Sequence, residues 1–162
     1  MRGKTLLTVV AFFVGLFAVV VPAISQQAPP ESEKARQIVA LFDRAAALLD
    51  SKGKSILPEF RKPDSEWRSG DFYLFITDLK GLELFNAAFP KFEGTDVSGL
   101  KDANGKLLQI EFVKTVQSKG SGWVDYMWPK PGQSQPSHKW GYVKAVTVDG
   151  DQAFVGAGFY PE

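Results

Sequence analysis

A chain of 162 residues, 44% of them hydrophobic, with a formal charge of +1, has the length for one domain with a buried core. It lacks the clustered positive charge that binding duplex nucleic acid requires, so no nucleic-acid partner is expected. It has no cysteine, which excludes disulfides, thiolate catalysis, Cys-ligated zinc and covalently attached c-type haem.

Arg2 and Lys4 precede an uncharged run from Thr5 to Val21, the pattern of a secretory signal. Ala23 and Ser25 are small residues at the spacing a signal peptidase accepts, so residues 1–25 are expected to be a signal peptide cleaved after Ser25. An apolar run of about 17 residues also reaches the lower limit for spanning a bilayer. The competing reading is therefore an uncleaved anchor that tethers the domain outside the inner membrane. Either way the remainder is exported, and the expected location is periplasmic or secreted. Cleavage removes Arg2 and Lys4 and turns the formal charge of +1 into −1.

Residues 26–30 form a polar, Pro-containing spacer, and residues 31–162 read as a single domain. From Glu31 to Asp50 the apolar residues Ala35, Ile38, Val39, Phe42, Ala45, Ala46 and Leu49 trace one face of an α-helix, with Ser32 as its cap and Gly53 as its stop. The segment to Gly70 reads as a short helix or a wrapped loop. At Asp71 the period shortens towards 2: Asp71–Asp78 predicts a strand, Asp78 to Gly81 a turn, and Leu82–Asn86 a second strand. A loop from Ala87 to Ser98 and a turn at Lys101–Gly105 lead to a predicted helix over Leu107–Lys119, ended by Gly120. Strands over Gly122–Trp128 and Lys139–Val148 follow, and Asp149-Gly150 supplies a hairpin turn into Gln152–Tyr160. The predicted fold is α+β: a five-stranded antiparallel sheet with the long N-terminal helix packed across it.

Groups for catalysis or metal binding are scarce. His138 stands alone in a polar loop without an orienting partner, and no second histidine exists to complete a zinc or iron site. A calcium loop counted from Asp102 needs Gly at its sixth position, where Leu107 stands. No Gly-rich stretch opens a helix to cradle phosphate. The expectation is a protein without enzymatic activity, cofactor or metal.

The aromatic and lysine residues between Gly120 and Lys144 remain. Alternation puts Val124, Tyr126 and Trp128 on one face, Trp123, Asp125 and Met127 on the other, and gives Trp140, Tyr142 and Lys144 a common face. One face must pack under the first helix, leaving the other to form a concave site closed by the loop and helix between the second and third strands. Tyr hydroxyls and a Lys ammonium suit a small carboxylate. The plainer alternative is that Lys139 and Lys144 are solvated and Tyr142 is core.

The order Phe72-Tyr-Leu-Phe-Ile-Thr-Asp-Leu-Lys-Gly81, Asp102-Ala-Asn-Gly105, Gly122-Trp-Val-Asp-Tyr-Met-Trp-Pro-Lys-Pro131, Lys139-Trp-Gly-Tyr-Val-Lys144 and Val155-Gly-Ala-Gly-Phe-Tyr160 resembles the single Cache domain family, type 2. The resemblance implies an extracytoplasmic, PAS-like sensor that binds a small molecule, often a short organic acid, in a pocket opposite the long helix. It places the family motif on Tyr126, Trp128, Lys139 and Tyr142, with Tyr73 and Phe75 from the first strand. Asn86 joins these site residues, standing with Ala87 where many relatives carry His-Pro, so a cation or donor is lost there. With no second membrane segment before Glu162, the expectation is a sensor acting without its own transmembrane module, through a separate membrane receptor, kinase or transporter. The alternative function is a structural or protein/glycan interaction module with no small-molecule pocket.

Overall fold

The computed structural model describes residue 29 and residues 31–161. The expected signal segment, its cleavage site and the spacer apart from Pro29 lie outside the described residues. Helix α1 spans Glu33–Lys52 and buries Ala35, Ile38, Phe42, Ala45, Ala46 and Leu49, the apolar face read from the sequence. The Ser32 hydroxyl accepts the Ala35 N–H at 3.1 Å and satisfies one of the unpaired donors of the first turn. The helix begins after the predicted cap at Ser32 and continues to Lys52, where Gly53 ends it as expected.

The linking segment is a 3-10 turn over Gly53–Ile56 and a single helical turn, α2 (Leu57–Phe60). Next, β1 (Arg68–Ser69) and β2 (Phe72–Tyr73) form a small separate hairpin. The predicted strand from Asp71 is thus interrupted at Leu74, and the main sheet begins with β3 (Phe75–Asp78). The sheet is completed by β4 (Glu83–Asn86), β5 (Ser121–Pro129), β6 (Pro136–Val148) and β7 (Asp151–Phe159), in the order β4-β3-β7-β6-β5. Every neighbouring pair is antiparallel. Helix α3 (Leu108–Lys119) lies between β4 and β5 in the chain. It stops at Gly120, whose left-handed φ of 74° lets its N–H reach the Val116 carbonyl.

The sheet separates two layers of apolar packing. On the α1 side, Phe42 meets Tyr142 edge to face at 5.2 Å, and Trp123 packs against Tyr142 at 5.0 Å. On the other side, Phe112 of α3 meets Phe75, Tyr126 and Phe154 at 5.7, 5.5 and 5.7 Å. Strand register explains how those rings fit. Phe75 stands opposite Gly156, and Gly141 lies diagonally beside Tyr126. A Cβ at Gly156 would fall 2.2 Å from the Phe75 ring, and one at Gly141 would fall 2.7 Å from Tyr126. Absent side chains at these two positions let both aromatics lie down on the sheet.

Both exposed sheet edges are covered by the segment between β4 and α3. Gly94 donates to the Glu83 carbonyl at 2.8 Å and Glu83 donates to that of Thr95 at 3.0 Å, along the β4 edge. At the β5 edge the Asp102 carboxylate accepts the Met127 N–H at 3.0 Å, while its other oxygen holds the turn through Asn104 and Lys106. Lys106 also pairs with Asp125 at 3.0 Å. One segment thereby blocks both strands from unwanted pairing and roofs the space between them.

The packing predicts that Gly156→Ala destabilises the fold by about 1 to 3 kcal/mol, because the added methyl drives Phe75 out of its rotamer. Urea denaturation measures this, and an unchanged midpoint would contradict the close approach.

Candidate functional site

The face of the sheet opposite α1 holds a small, partly open cavity of about 40 Å³. A molecule of only a few heavy atoms fits such a space. The floor is Phe75 and Thr77 of β3, the sides are Tyr126 and Trp128 of β5 with Glu83 and Asn86 of β4, and α3 contributes Leu108, Gln109 and Phe112. The roof comes from Phe92, Val97 and Leu100 of the edge-covering segment. Tyr73 closes one end; its ring meets Phe89 at 5.5 Å, and Phe89 and Phe92 both pack on Trp128.

Five of the expected site residues, Tyr73, Phe75, Asn86, Tyr126 and Trp128, line this one cavity. Lys139 stands directly behind it. It lies opposite Tyr126 in the β5–β6 register and is 0% exposed, so the solvated alternative does not hold for it. Its ammonium donates to the Tyr73 hydroxyl at 2.9 Å and sits 4.1, 5.3 and 5.9 Å from the ring centres of Tyr73, Tyr160 and Tyr126. Burial in this aromatic nest lowers the lysine to about 7, with Asp71 pulling weakly the other way.

Tyr142, expected in the site, faces the opposite way. It stands across from Trp123, packs on Phe42 of α1, and gives its hydroxyl to Ser121 at 2.8 Å. The reason is the two-residue period of a strand: positions 139 and 142 are three apart and point to opposite faces. Lys144 shares the Tyr142 face and ties β6 to α1 through Asp43 at 2.9 Å.

Tyr73 links Lys139 to the cavity. Its hydroxyl accepts from the lysine, which leaves its own hydrogen to point at Tyr160 or into the cavity. Burial, with the neighbouring Tyr126 and Tyr160 adding to it, raises the Tyr73 hydroxyl well above the ordinary phenol value. Burial likewise raises Tyr126 and Tyr160. All three stay neutral donors at physiological pH. A tyrosine hydroxyl that accepts from an ammonium is polarised into a stronger donor.

The cavity residue that sequence reading missed is Glu83. In a regular β3–β4 ladder Leu84 would stand opposite Thr77, but the register slips there and pairs Thr77 with Glu83. This bulge turns an outward-reading glutamate inward. Its carboxyl is bonded to Thr77 at 2.5 Å and to the Asn86 side-chain nitrogen at 2.8 Å, both neutral. Burial raises it from 4.5 to about 7; the bonds from Thr77 and Asn86 oppose the rise and Glu93 adds to it. The only available signal was a glutamate inside an otherwise apolar Leu-Glu-Leu-Phe run. His138, read as standing alone in a polar loop, instead lies on β6 opposite Met127; it is exposed, 3.8 Å from Asp125, and does not line the cavity.

A model of the family described as Cache domain matches residues 52–161. A solved structure described as the periplasmic sensor domain of a chemotaxis protein aligns at 31% identity and a TM-score of 0.69, covering 80% of this chain and 96% of that one. A second, from a study of carboxylic acid recognition by a Cache chemosensory domain, aligns at 32% identity and a TM-score of 0.58, covering 80% of this chain and 81% of that one. The methyl-accepting chemotaxis protein McpP of Pseudomonas putida KT2440 is 33% identical over 90 residues. That stretch is 56% of this chain and 16% of the receptor.

The raised Glu83 carboxyl has a consequence for stability. Between pH 4.5 and about 7 the native chain keeps a proton that the unfolded chain has released, so the Glu83 contribution falls as pH rises and is fully lost above 7. Glu83→Gln should therefore stabilise the protein by about 3 kcal/mol more at pH 8 than at pH 4. Urea denaturation at the two pH values measures it, and an equal effect at both would contradict the buried acid.

Proposed function

The chain belongs to the Cache domain family, and from that premise we propose that it is an extracytoplasmic small-molecule sensor whose ligand is a short organic acid. The observation that carries this reading is Lys139, a fully buried ammonium with no carboxylate within ion-pairing distance among the described residues. Buried charges are ordinarily paired. Here the partner is supplied from outside, through Tyr73.

A ligand carboxylate accepts the Tyr73 hydrogen while Lys139 holds the tyrosine oxygen, so positive charge reaches the anion through one polarised hydroxyl. The short tail lies among Phe75, Phe112 and Tyr126, where apolar burial favours methyl or ethyl groups over polar ones. Cavity size limits the tail to a few atoms. The solved relative whose description names carboxylic acid recognition supports the same ligand class. A cavity with this mixed aromatic and polar lining speaks against a purely structural module without a pocket.

Transmission of occupancy is assigned to a membrane receptor, kinase or transporter, fused or separate. Among the described residues no helix is long and apolar enough to cross a membrane.

Lys139→Met should weaken a two- to four-carbon monocarboxylate by about 1.5 to 3 kcal/mol, roughly 10- to 150-fold. The same substitution should raise the melting temperature below neutral pH. The buried charge destabilises the native state fully below about pH 7, and relief grows as pH rises from 7 towards 10.5. Thermal-shift titration reads both effects at once. If no acid in such a panel raises the melting temperature of the unaltered protein, the ligand class is wrong.

A further inference from the structure

Among the described residues, Glu83 is the only acidic group lining the cavity. It is 5% exposed, and no cation pairs with it. Its geometry is over-determined. The Asn86 side-chain oxygen accepts the N–H groups of Ala88 and Phe89 at 3.2 and 2.8 Å, so its nitrogen must face Glu83. One Glu83 oxygen is thereby fixed as an acceptor, and the other, beside Thr77, is the site for a proton.

We propose that Glu83 enters the ligand complex as the neutral acid and donates a hydrogen bond to the bound carboxylate while keeping its proton, so that the cavity takes up a monocarboxylate only with Glu83 protonated. This rests on the carboxylate reading of the site. In so small a space an anion has no position remote from Glu83, and two like charges in a desolvated cavity repel strongly. A proton from solvent removes that repulsion and converts Glu83 into a hydrogen-bond donor. Glu83 thus selects against anions at alkaline pH and acts as the specificity residue of the site.

The other charged and titratable groups are consistent with this assignment. Tyr73 from β2 and Tyr126 from β5 remain neutral phenols. Glu93 of the roof segment is tied to Arg61 at 2.6 Å and adds to the pressure on Glu83 to hold its proton. Gln109 from α3 is uncharged and occupied with the Asp78 carbonyl at 2.9 Å. Lys139 from β6 titrates in the same range and must also be protonated to hold an anion. Two protons therefore accompany the ligand at alkaline pH, and one of them belongs to Glu83.

The test is isothermal titration of propionate into the full chain between pH 6.5 and 8.5, in buffers of different ionisation enthalpy, with the unaltered protein and Glu83→Gln. Above about pH 7.5 the unaltered protein should lose close to 100-fold in affinity per pH unit, and Glu83→Gln close to 10-fold. The variant should bind at least about 10-fold more tightly than the unaltered protein at pH 8.5. Equal slopes in the two proteins would overturn the inference and leave the carboxylate reading standing. If the variant does not fold, buffer dependence in the unaltered protein decides: uptake of more than one proton at pH 8 supports the proposal, and one or fewer overturns it. Failure of propionate to bind at any pH, with methylamine binding that tightens as pH rises, overturns the carboxylate reading and this inference together.

Discussion

Lys139 holds its ammonium wholly inside the protein, with a tyrosine hydroxyl 2.9 Å away and aromatic rings for most of its remaining surroundings. Burying a charge this way is unfavourable unless other interactions offset it, and ring quadrupoles with one hydrogen bond offset only part. Much of the structure accommodates that one group. Tyr73 turns its oxygen to it, Tyr160 flanks it and anchors its own hydroxyl on the Pro129 carbonyl at 2.8 Å, and β6 carries it beneath the floor of the cavity.

The central sheet gives each strand two tasks. β6 turns Lys139 and Gly141 to the cavity side of the sheet, behind the lining residues, and, one residue out of phase, Tyr142 and Lys144 to α1. β7 leaves Gly156 bare so that Phe75 can lie flat, while β5 supplies Tyr126 to one face and Trp123 to the other. The cavity and the long helix therefore lie on opposite faces of one sheet. A change in charge at Lys139 acts on a strand that α1 packs against directly.

Much of this architecture was legible in the sequence because the signals were local. The apolar spacing from Ala35 to Leu49, the Ser32 cap, and the Asp149-Gly150 turn, where both residues adopt positive φ, depend on neighbours a few positions away. Tyr126 and Trp128 were legible too, since β5 is long and regular enough for strict alternation, whereas Tyr73 and Phe75 were reached through the family resemblance. Two features were not. Tyr142 was grouped with Lys139 through a family motif, although residues three apart on a strand face opposite ways. Glu83 was hidden because its inward direction depends on a bulge opposite Thr77, set by how β3 and β4 pair and not by either strand alone. The roof was unreadable for a similar reason: Glu93 and Asp102 fix it through backbone groups of Asn86 and Met127, on strands the roof only meets once folded.

The cavity thus opposes a sequestered cation behind Tyr73 to a lone carboxyl on β4, with an apolar slot between them. Family membership makes it a sensor fold, and the chemistry we propose for it is the buried lysine behind Tyr73 set against the protonated Glu83 carboxyl. A crystal structure of the protein grown with propionate tests that claim most directly. The carboxylate should lie within hydrogen-bonding distance of the Tyr73 hydroxyl, with its ethyl group against Phe75 and Phe112. Propionate absent from the cavity, or bound on the α1 face beside Tyr142, would contradict it.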